Sequence, residues 1–274
     1  MYKVLDKDII KIEILPHLPS GKRGFEVKAN KAEVINAILY KLKTGCQWAF
    51  LPVKQLFSEV VLSWQSVYYH FRRWSKHGSW KQCWVRLLKE NKPSLDLSSG
   101  DVDGSHTPAI RGGEEVAYQG RKKKKTTNSI YLTDRQGIPL AMSSPKSGNH
   151  TDVYQIEESM DDIFNTMRDA EIRLDGLFLN ADAGFDCKSF RSACERQDII
   201  ANVAFNPRNG SSDDYFLDNE MYEERYSIER TNAWMDSFRS LLNRFDTTVA
   251  SWESFNYIAF MVILLKKVRK REKV

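Results

Sequence analysis

The N-terminal part of the chain carries apolar residues at the spacing of helices. In the stretch from Asn30 to Gly45, apolar side chains recur every three or four positions, at Val34, Ile35, Ile38, Leu39 and Leu42. Asn30 is suited to cap the start of this helix and Gly45 to end it. A second helix is predicted over residues 63–78 and a third over residues 80–88. The pattern therefore predicts a small all-α domain.

The second predicted helix has an apolar side and a basic side. Its apolar side consists of Val67, Phe71 and Trp74, and its polar side of His70, Arg72, Arg73, Lys76 and His77. A compact helical unit with one basic helix is typical of helix-turn-helix DNA readers, in which Arg72, Arg73 and Lys76 would contact DNA. An ordinary amphipathic bundle with a solvated basic face is the alternative.

The pattern changes after residue 92, where "KPSLDLSSG" is typical of a linker, and we predict two domains, 1–95 and 96–274. Strands and helices alternate in the second domain. The predicted elements are a strand around Asp103, a loop with the basic run 121–125, a hairpin of 128–134 with 138–144, a helix over 152–167, a strand over 176–182, a helix over 186–196, a strand over 199–205 and helices over 221–245 and 252–269. Three strands, helix, strand, helix, strand, helix is the order of the ribonuclease H-like α/β fold, a mixed sheet with flanking helices.

Three carboxylates fall at points that converge in this fold. Asp103 lies on the first strand, Asp182 at the end of the fourth and Glu229 on the helix after the fifth. Clustered carboxylates repel unless cations neutralise them, so we predict that these three hold two Mg²⁺ ions, for which Mn²⁺ can substitute. Asp101 shares a face of its strand with Asp103 and is a further candidate.

Each of these residues also has a plain structural interpretation. Asp103 alone suits a turn or a cap, Asp182 suits a helix N-cap, and Glu229 suits an ion pair with Arg225 four residues earlier. His106 and His150 are expected to be polar loop residues, because Mg²⁺ prefers oxygen ligands. Position within the fold favours the metal site for the three carboxylates.

Charge is distributed unevenly along the 274 residues, whose net charge is +5. Residues 1–95 hold 17 Lys and Arg against 7 Asp and Glu, a balance of +10, and the remainder of the chain has −5. The basic part indicates a polyanion partner. The longest apolar run near the C-terminus, residues 258–265, is far shorter than the roughly 20 residues of a membrane span. No secretory signal or metal-spaced cysteine pair is evident, so we expect a cytoplasmic, nucleoid-associated protein with reduced thiols and no membrane partner.

Several ordered motifs resemble one known family. "VDGSH" is similar to the first-aspartate motif of the DDE transposases of bacterial insertion sequences, in particular the insertion sequence five group, and "DAGFD" is similar to the second. "YEERYSIERTNAWM" resembles the family's signature of tyrosine, arginine and glutamate, which maps onto Tyr222, Arg225 and Glu229. "LKTGCQWAFLP" and "VYYHFRRWSKHGSW" resemble its N-terminal domain. The family often has a lysine seven residues after the glutamate, where this chain has Asp236.

The resemblance implies an enzyme that binds the terminal inverted repeats of its element and cuts and joins DNA by two-metal-ion chemistry. It also implies a homo-oligomer that acts on paired ends and on target DNA, with Tyr222 and Arg225 near the DNA. The basic run beside the first strand would then contact the DNA backbone through Lys122, Lys123, Lys124 and Lys125. A catalytically idle DNA-binding relative and a nuclease of the same fold without strand transfer are the alternatives.

Overall fold

The computed structural model describes residues 3–19, 29–209 and 216–271. Contacts between Cα atoms divide these residues into two compact units. The first unit combines the described residues up to Leu87 with those from Met235 onward, and the second consists of the described residues of Leu88–Trp234.

The N-terminal helices agree closely with the sequence pattern. They are α1 (Lys7–Ile9), which continues through π-helical and 3-10 turns to His17, α2 (Lys31–Thr44), α3 (Val53–Leu56), α4 (Trp64–Lys76) and α5 (Ser79–Glu90), with a 3-10 turn at Trp48–Phe50. The Asn30 side chain accepts a hydrogen bond from the Ala32 amide at 3.0 Å, so it caps α2 as predicted. Gly45 ends α2 with a φ of 68°, a conformation that favours glycine.

The second unit is built on a mixed sheet. Its strands are β1 (Ser99–Pro108), β2 (Ala117–Gln119), β3 (Lys124–Asp134), β4 (Pro139–Met142), β5 (Lys146–Ser147), β6 (Phe178–Ala181) and β7 (Ile200–Val203), and its first helices are α6 (Ile156–Asp169) and α7 (Lys188–Glu195). The strand order is β2-β3-β1-β6-β7, with β4 and β5 also paired to β3. The predicted mixed α/β class is thereby confirmed.

Strand β1 is central to this sheet and longer than its parallel partner. It pairs antiparallel with β3 from Gly100 to Pro108, but it pairs parallel with β6 only from Ser99 to Val102. The carboxyl half of β1 therefore extends past the end of β6. Side chains that follow Val102 lie at this open edge.

The predicted long helix over 221–245 is wrong, because the chain bends twice within it. The structure has α8 (Asn219–Glu223), α9 (Tyr226–Asp236) and α10 (Arg239–Leu242) in its place, followed by α11 (Val249–Arg271). Phe238 has extended backbone angles, φ −94° and ψ 102°, and its side chain is buried. Burial of this aromatic ring outweighs continuation of the helix.

The predicted loop at the basic run is also shorter than expected. Lys124 and Lys125 begin β3, where they pair with Gln119 and Tyr118 of β2. The turn before them includes Lys123, whose φ is 51°. His106, which was expected in a loop, lies within β1 opposite Asn128. Threonine and asparagine residues extend the strand into this polar region, which hydropathy alone does not indicate.

The C-terminal helix α11 packs with the N-terminal helices. The Phe255 ring stacks on Phe71 at 4.4 Å between centroids, and Phe260 meets Trp84 edge to face at 5.5 Å. All residues of its apolar run, Ile258 to Leu265, are buried. The predicted division into 1–95 and 96–274 assigned α11 to the second domain, whereas the compact units group α11 with the N-terminal helices, whose aromatic side chains contact it. In the part of the chain that the structure describes, no helix is long and apolar enough to cross a membrane.

Candidate active site

Two carboxylates lie just past the end of the parallel pairing between β1 and β6. Asp101 pairs with Asn180 and Val102 with Ala181 where β1 meets β6. One residue further along each strand are Asp103 and Asp182, which therefore approach each other at the edge of the sheet. The sequence prediction that these two residues converge agrees with this placement.

Asp103 is held in a state that disfavours its negative charge. Burial, reinforced by the charges of Asp182 and Asp152, raises its pKa from 3.8 to about 6. A hydrogen bond from the Gly104 amide to Asp103 Oδ1 at 2.9 Å and the Arg225 guanidinium oppose these effects without cancelling them. A cation bound beside Asp103 would lower the free-energy cost of ionising its carboxylate.

Asp182 performs the capping role that was its alternative interpretation. It lies at the start of the 3-10 turn Ala183–Phe185, and its Oδ1 accepts a hydrogen bond from the Gly184 amide at 2.8 Å. A carboxylate has capacity for further partners, because each oxygen carries two lone pairs. The cap fixes the direction of the side chain and leaves it able to bind a cation.

Glu229 lies on α9 (Tyr226–Asp236), three residues before Asn232, and Arg225 lies in the turn just before the helix. Asn232 Nδ2 donates a hydrogen bond to Asp103 Oδ2 at 3.3 Å, and Arg225 lowers the pKa of Asp103. The Glu229 side chain itself is exposed. Among residues 3–19, 29–209 and 216–271, no three His, Cys, Asp or Glu side chains are grouped closely enough to hold a metal ion.

The donor set nevertheless fits a hard divalent cation. Asp103 and Asp182 offer carboxylate oxygens, the ligands that Mg²⁺ prefers, and the charge repulsion between them has no neutralising partner of equal strength. The structure therefore brings Asp103 and Asp182 together, whereas Glu229 is exposed on α9 and is not grouped with them among the described residues.

Tyr222 and Arg225 form a contact next to this site. Tyr222 belongs to α8, Arg225 to the turn that follows, and the Arg225 Cζ lies 5.5 Å from the centre of the Tyr222 ring. The guanidinium is near enough to Asp101 and Asp103 to lower the pKa of both carboxyls. A positive charge held beside carboxylates suits the binding of a phosphate that arrives with its cations.

Asp152 is a residue near the site that the sequence did not reveal. Asp152 Oδ1 accepts a hydrogen bond from Asn128 Nδ2 at 2.8 Å and lies 3.5 Å from His106 Nε2. Burial raises the pKa of Asp152, but the bonds from His106 and Asn128 outweigh it and leave the pKa below its usual value. A Cβ at Gly104 would overlap the Asp152 carboxylate, so the glycine in "VDGSH" permits this approach.

The basic helix α4 has the two sides that its sequence predicts. Val67, Phe71 and Trp74 are buried, whereas Arg72, Arg73 and Lys76 are exposed. The Arg72 Cζ lies 5.9 Å from the centre of the Tyr68 ring, which supports the guanidinium from one side. Lysines 122 to 125 in the other unit are exposed too, and Lys122 Nζ donates to the His106 carbonyl at 2.9 Å. Contact of these residues with DNA stays a prediction.

Replacing Asp103 with asparagine is expected to stabilise the metal-free protein near neutral pH. Because the folded-state pKa is about 6 and exceeds the unfolded value, the folded protein binds more protons through this range, and stability falls as pH rises through the window from about 4 to about 6. Above that window the ionised carboxylate lowers the free energy of unfolding by about 1–3 kcal/mol, and Asp103→Asn removes this destabilisation. Urea unfolding with a chelator, at about pH 7 and about pH 4, measures the difference.

The same comparison has an internal control. Burial also raises the pKa of Asp134 to about 6, but Asp134 is present in both proteins and its contribution cancels. Asp161→Asn, on the exposed side of α6, should leave stability unchanged. An equal gain from Asp103→Asn at both pH values would trace the effect to packing instead of charge.

Two family comparisons cover most of the chain. Residues 12–84 match the family described as "Putative transposase of IS4/5 family", and residues 102–265 match "DDE superfamily endonuclease". A protein of Burkholderia cepacia named "Insertion element IS402 uncharacterized 16.2 kDa protein" is 27% identical over 154 residues, which are 54% of this chain and all of that protein. These matches confirm the resemblance inferred from the motifs.

Solved structures resemble the chain in fold. A piggyBac transposase synaptic complex with hairpin DNA aligns with a TM-score of 0.50 and 9% identity, over 99% of this chain and 77% of that one. A Mos1 transposase paired-end complex aligns with a TM-score of 0.29 and 16% identity, over 89% and 80% of the two chains. At such identity the first likeness concerns the fold alone, and it agrees with the predicted ribonuclease H-like class.

Proposed function

Because the chain belongs to the DDE superfamily endonucleases, we propose that it is the transposase of a bacterial insertion sequence, which cuts the ends of its element and joins them to target DNA. The observation that carries the proposal is the coupling of Asp103 to Asp182 just past the end of the parallel pairing between β1 and β6. A pair of carboxylates whose charge is disfavoured is typical of a site that is completed by cations and substrate.

Asp103, Asp182 and Glu229 would hold the divalent ions. Endonucleases of this superfamily generally use divalent metals, and we propose two Mg²⁺ ions, with Mn²⁺ as a substitute. When bound, such ions supply charge that activates an attacking hydroxyl and stabilises the leaving oxygen at a phosphodiester. The open edge of β1 leaves space for a DNA strand beside Asp103.

The residues around the carboxylates would orient the strand. Arg225 is held against Tyr222 and can contact a phosphate oxygen with its planar guanidinium. Asn232 donates to Asp103 Oδ2 and can keep that side chain in place until the cation arrives. Glu229, three residues before Asn232 on α9, would then turn from solvent to complete the ligand set.

Two assays separate this proposal from its alternatives. A labelled, pre-cut element end incubated with target DNA and Mg²⁺ should give a joined product. A nuclease of the same fold would cut an element end without joining it, and an idle DNA-binding relative would bind the end without cutting. A joined product that depends on Asp103 supports the transposase.

We also propose that the protein acts as a homo-oligomer on the terminal inverted repeats. The support is that a mobile element has two ends, which must be cut and joined together. Light scattering of the protein with and without end DNA tests this: a complex that contains two ends and at least two protein chains is expected. A single chain on a single end through the whole reaction would contradict it.

Neutralising Lys122, Lys123, Lys124 and Lys125 together should weaken binding to element ends and to random DNA by the same factor. Lysine side chains are mobile point charges without the fork that recognises guanine, so they bind phosphates and do not read bases. For each phosphate that is no longer neutralised, the slope of log affinity against log salt should fall by about one unit. Filter binding over a salt series measures both quantities, and weaker binding confined to the specific end would contradict a role at the DNA backbone.

A further inference from the structure

A row of buried polar side chains crosses three strands of the sheet. Asp101 on β1, Asn180 on β6 and Asn202 on β7 are successive register partners, and all three are buried. Asn180 Nδ2 donates to Asp101 Oδ1 at 2.9 Å, and Asn202 Nδ2 donates to Asn180 Oδ1 at 2.8 Å. The central strands of a sheet usually bury apolar side chains at such positions, so this row needs a specific explanation.

Both ends of the row reach the helices that follow the sheet. At one end, the Ser227 hydroxyl of α9 donates to Asp101 Oδ2. At the other end, Asn202 Oδ1 accepts from the Asp218 amide at 2.9 Å and Asn202 Nδ2 donates to the Asp218 carbonyl at 3.0 Å. Asp218 in turn caps α8 through the Met221 amide. The row, which we call the polar ladder (Asp101, Asn180, Asn202), thus connects the sheet to the start of both helices.

Each oxygen of the Asp101 carboxylate accepts a hydrogen bond within this arrangement. Its Oδ1 faces the Asn180 amide and its Oδ2 faces the Ser227 hydroxyl. A buried carboxylate with a donor on each oxygen is directional, because removal of either donor leaves a charged acceptor unsatisfied. Asp101 is therefore bonded to Asn180 of β6 and to Ser227 of α9. Asp103, two residues later, is the residue whose charge interacts with that of Asp182.

Helix α9 also packs closely against the turn between β3 and β4. The Thr231 hydroxyl, one turn after Ser227, donates to the Gly137 carbonyl of the β3–β4 turn. A Cβ at Gly137 would lie 2.8 Å from the Ser227 carbonyl oxygen, and the φ of Gly137 is 79°. Ser227 and Thr231 thus fix one side of α9 against the sheet. Since residues of a helix are about 100° apart, fixing Ser227 also fixes the direction in which Glu229 projects.

We propose that Asp101 is a positioning residue of the active site, which sets the rotation of α9 through Ser227 and thereby the place of Glu229 relative to Asp103 and Asp182. The role requires hydrogen bonding by Asp101 and does not require metal binding by it. This inference rests on the proposed function for the role of Glu229, whereas the anchoring of α9 is measurable without it.

The test combines hydrogen exchange of the α9 amides with Mn²⁺ binding, both on the full chain without DNA. Ser227→Ala and Asp101→Ala should each speed exchange in residues 226–236 by roughly ten- to a hundredfold, because each removes a hydrogen bond to a charged group. Both should also weaken Mn²⁺ binding, measured by electron paramagnetic resonance. Asp101→Asn keeps its oxygen for the Asn180 amide, and its NH₂ group can donate to the Ser227 hydroxyl oxygen, so both properties should be retained within about threefold.

Thr133→Val is the matched control. Thr133 is buried and is the register partner of Asp101 on β3, but its hydroxyl has no hydrogen-bond partner among the described residues. It should leave exchange and Mn²⁺ affinity unchanged. Asp103→Asn should weaken Mn²⁺ binding but speed exchange in α9 less than Ser227→Ala does, because it affects only the 3.3 Å bond from Asn232; this difference separates a ligand from a positioning residue.

Two results would overturn the inference. One is unchanged α9 exchange in Ser227→Ala; the other is loss of Mn²⁺ binding in Asp101→Asn as severe as in Asp103→Asn, which would make Asp101 a ligand. If Asp103→Asn and Asp182→Asn leave Mn²⁺ binding intact while Ser227→Ala still speeds α9 exchange, the anchoring by Asp101 is supported and the failure lies in the proposed metal site.

Discussion

Asp103→Asn and Asp182→Asn should each lower Mg²⁺-dependent cleavage of an element end by at least about a thousandfold, with end binding close to that of the unchanged protein. Each substitution keeps the size of the side chain and removes a charge that the ions require. Asp103 is half-buried and close enough to Asp182 for the two charges to interact, so the loss of its charge should directly affect cation binding. Cleavage of a labelled end, followed over time at saturating protein, measures the effect.

The control for this experiment is the same chemical change at an exposed carboxylate. Asp161→Asn on α6 should cleave at the normal rate. Glu229→Gln should match the two aspartate variants if Glu229 moves to the ions during the reaction. Near-normal cleavage by any one of the three would remove that residue from the metal site, and loss of end binding in all of them would point to misfolding.

Asp103→Asn is expected to stabilise the protein as well as to abolish cleavage, and this combination distinguishes a catalytic aspartate from a structural one. A residue that destabilises the folded protein and yet is required for cleavage is kept for its chemistry, whereas a structural aspartate would lower stability when replaced. Asp134 provides the contrast. It accepts backbone hydrogen bonds from Asp96, Gln136 and Ile138, so its replacement should destabilise the protein at every pH.

Much of the order of elements along the chain, and the approach of Asp103 to Asp182, could be predicted from the sequence. Apolar runs mark β3, β4, β6 and β7, and Asp182 follows the run of β6, whereas Asp103 lies within the polar strand β1. The parallel pairing of β1 with β6 then brings the two aspartates together. Glu229 could be placed on its helix but not within the site, because the rotation of α9 depends on Ser227 and Thr231.

Features that depend on contacts distant in sequence were not predictable. Asp152 was predicted to begin a helix, but α6 begins at Ile156, and only the fold brings Asp152 beside His106 and Asn128. The packing of α11 with α4 joins segments that are almost two hundred residues apart in the chain. The role of Asp101 is of the same kind, since its pattern along β1 equals that of Asp103 and only its bonds to Asn180 and Ser227 distinguish the two.

Replacing Arg72, Arg73 and Lys76 together with alanine should weaken binding to element ends by about a hundredfold or more at moderate salt, and should lower the salt dependence by about two to three units in log-log slope. The three side chains are exposed on the side of α4 opposite Val67, Phe71 and Trp74, so their removal leaves the buried face of the helix intact.

Discrimination between the element end and random DNA should fall as well, by about 1–3 kcal/mol for each arginine that reads a base. The matched control removes three charges elsewhere in the same unit, at Lys11, Lys54 and Lys81, and should change affinity far less, because net charge acts more weakly than direct binding of phosphates. Fluorescence anisotropy over a salt series measures both variants. Equally weakened binding in the two variants would assign the effect to net charge. Unchanged affinity and slope in the α4 variant would show that the basic side of α4 is an ordinary solvated face.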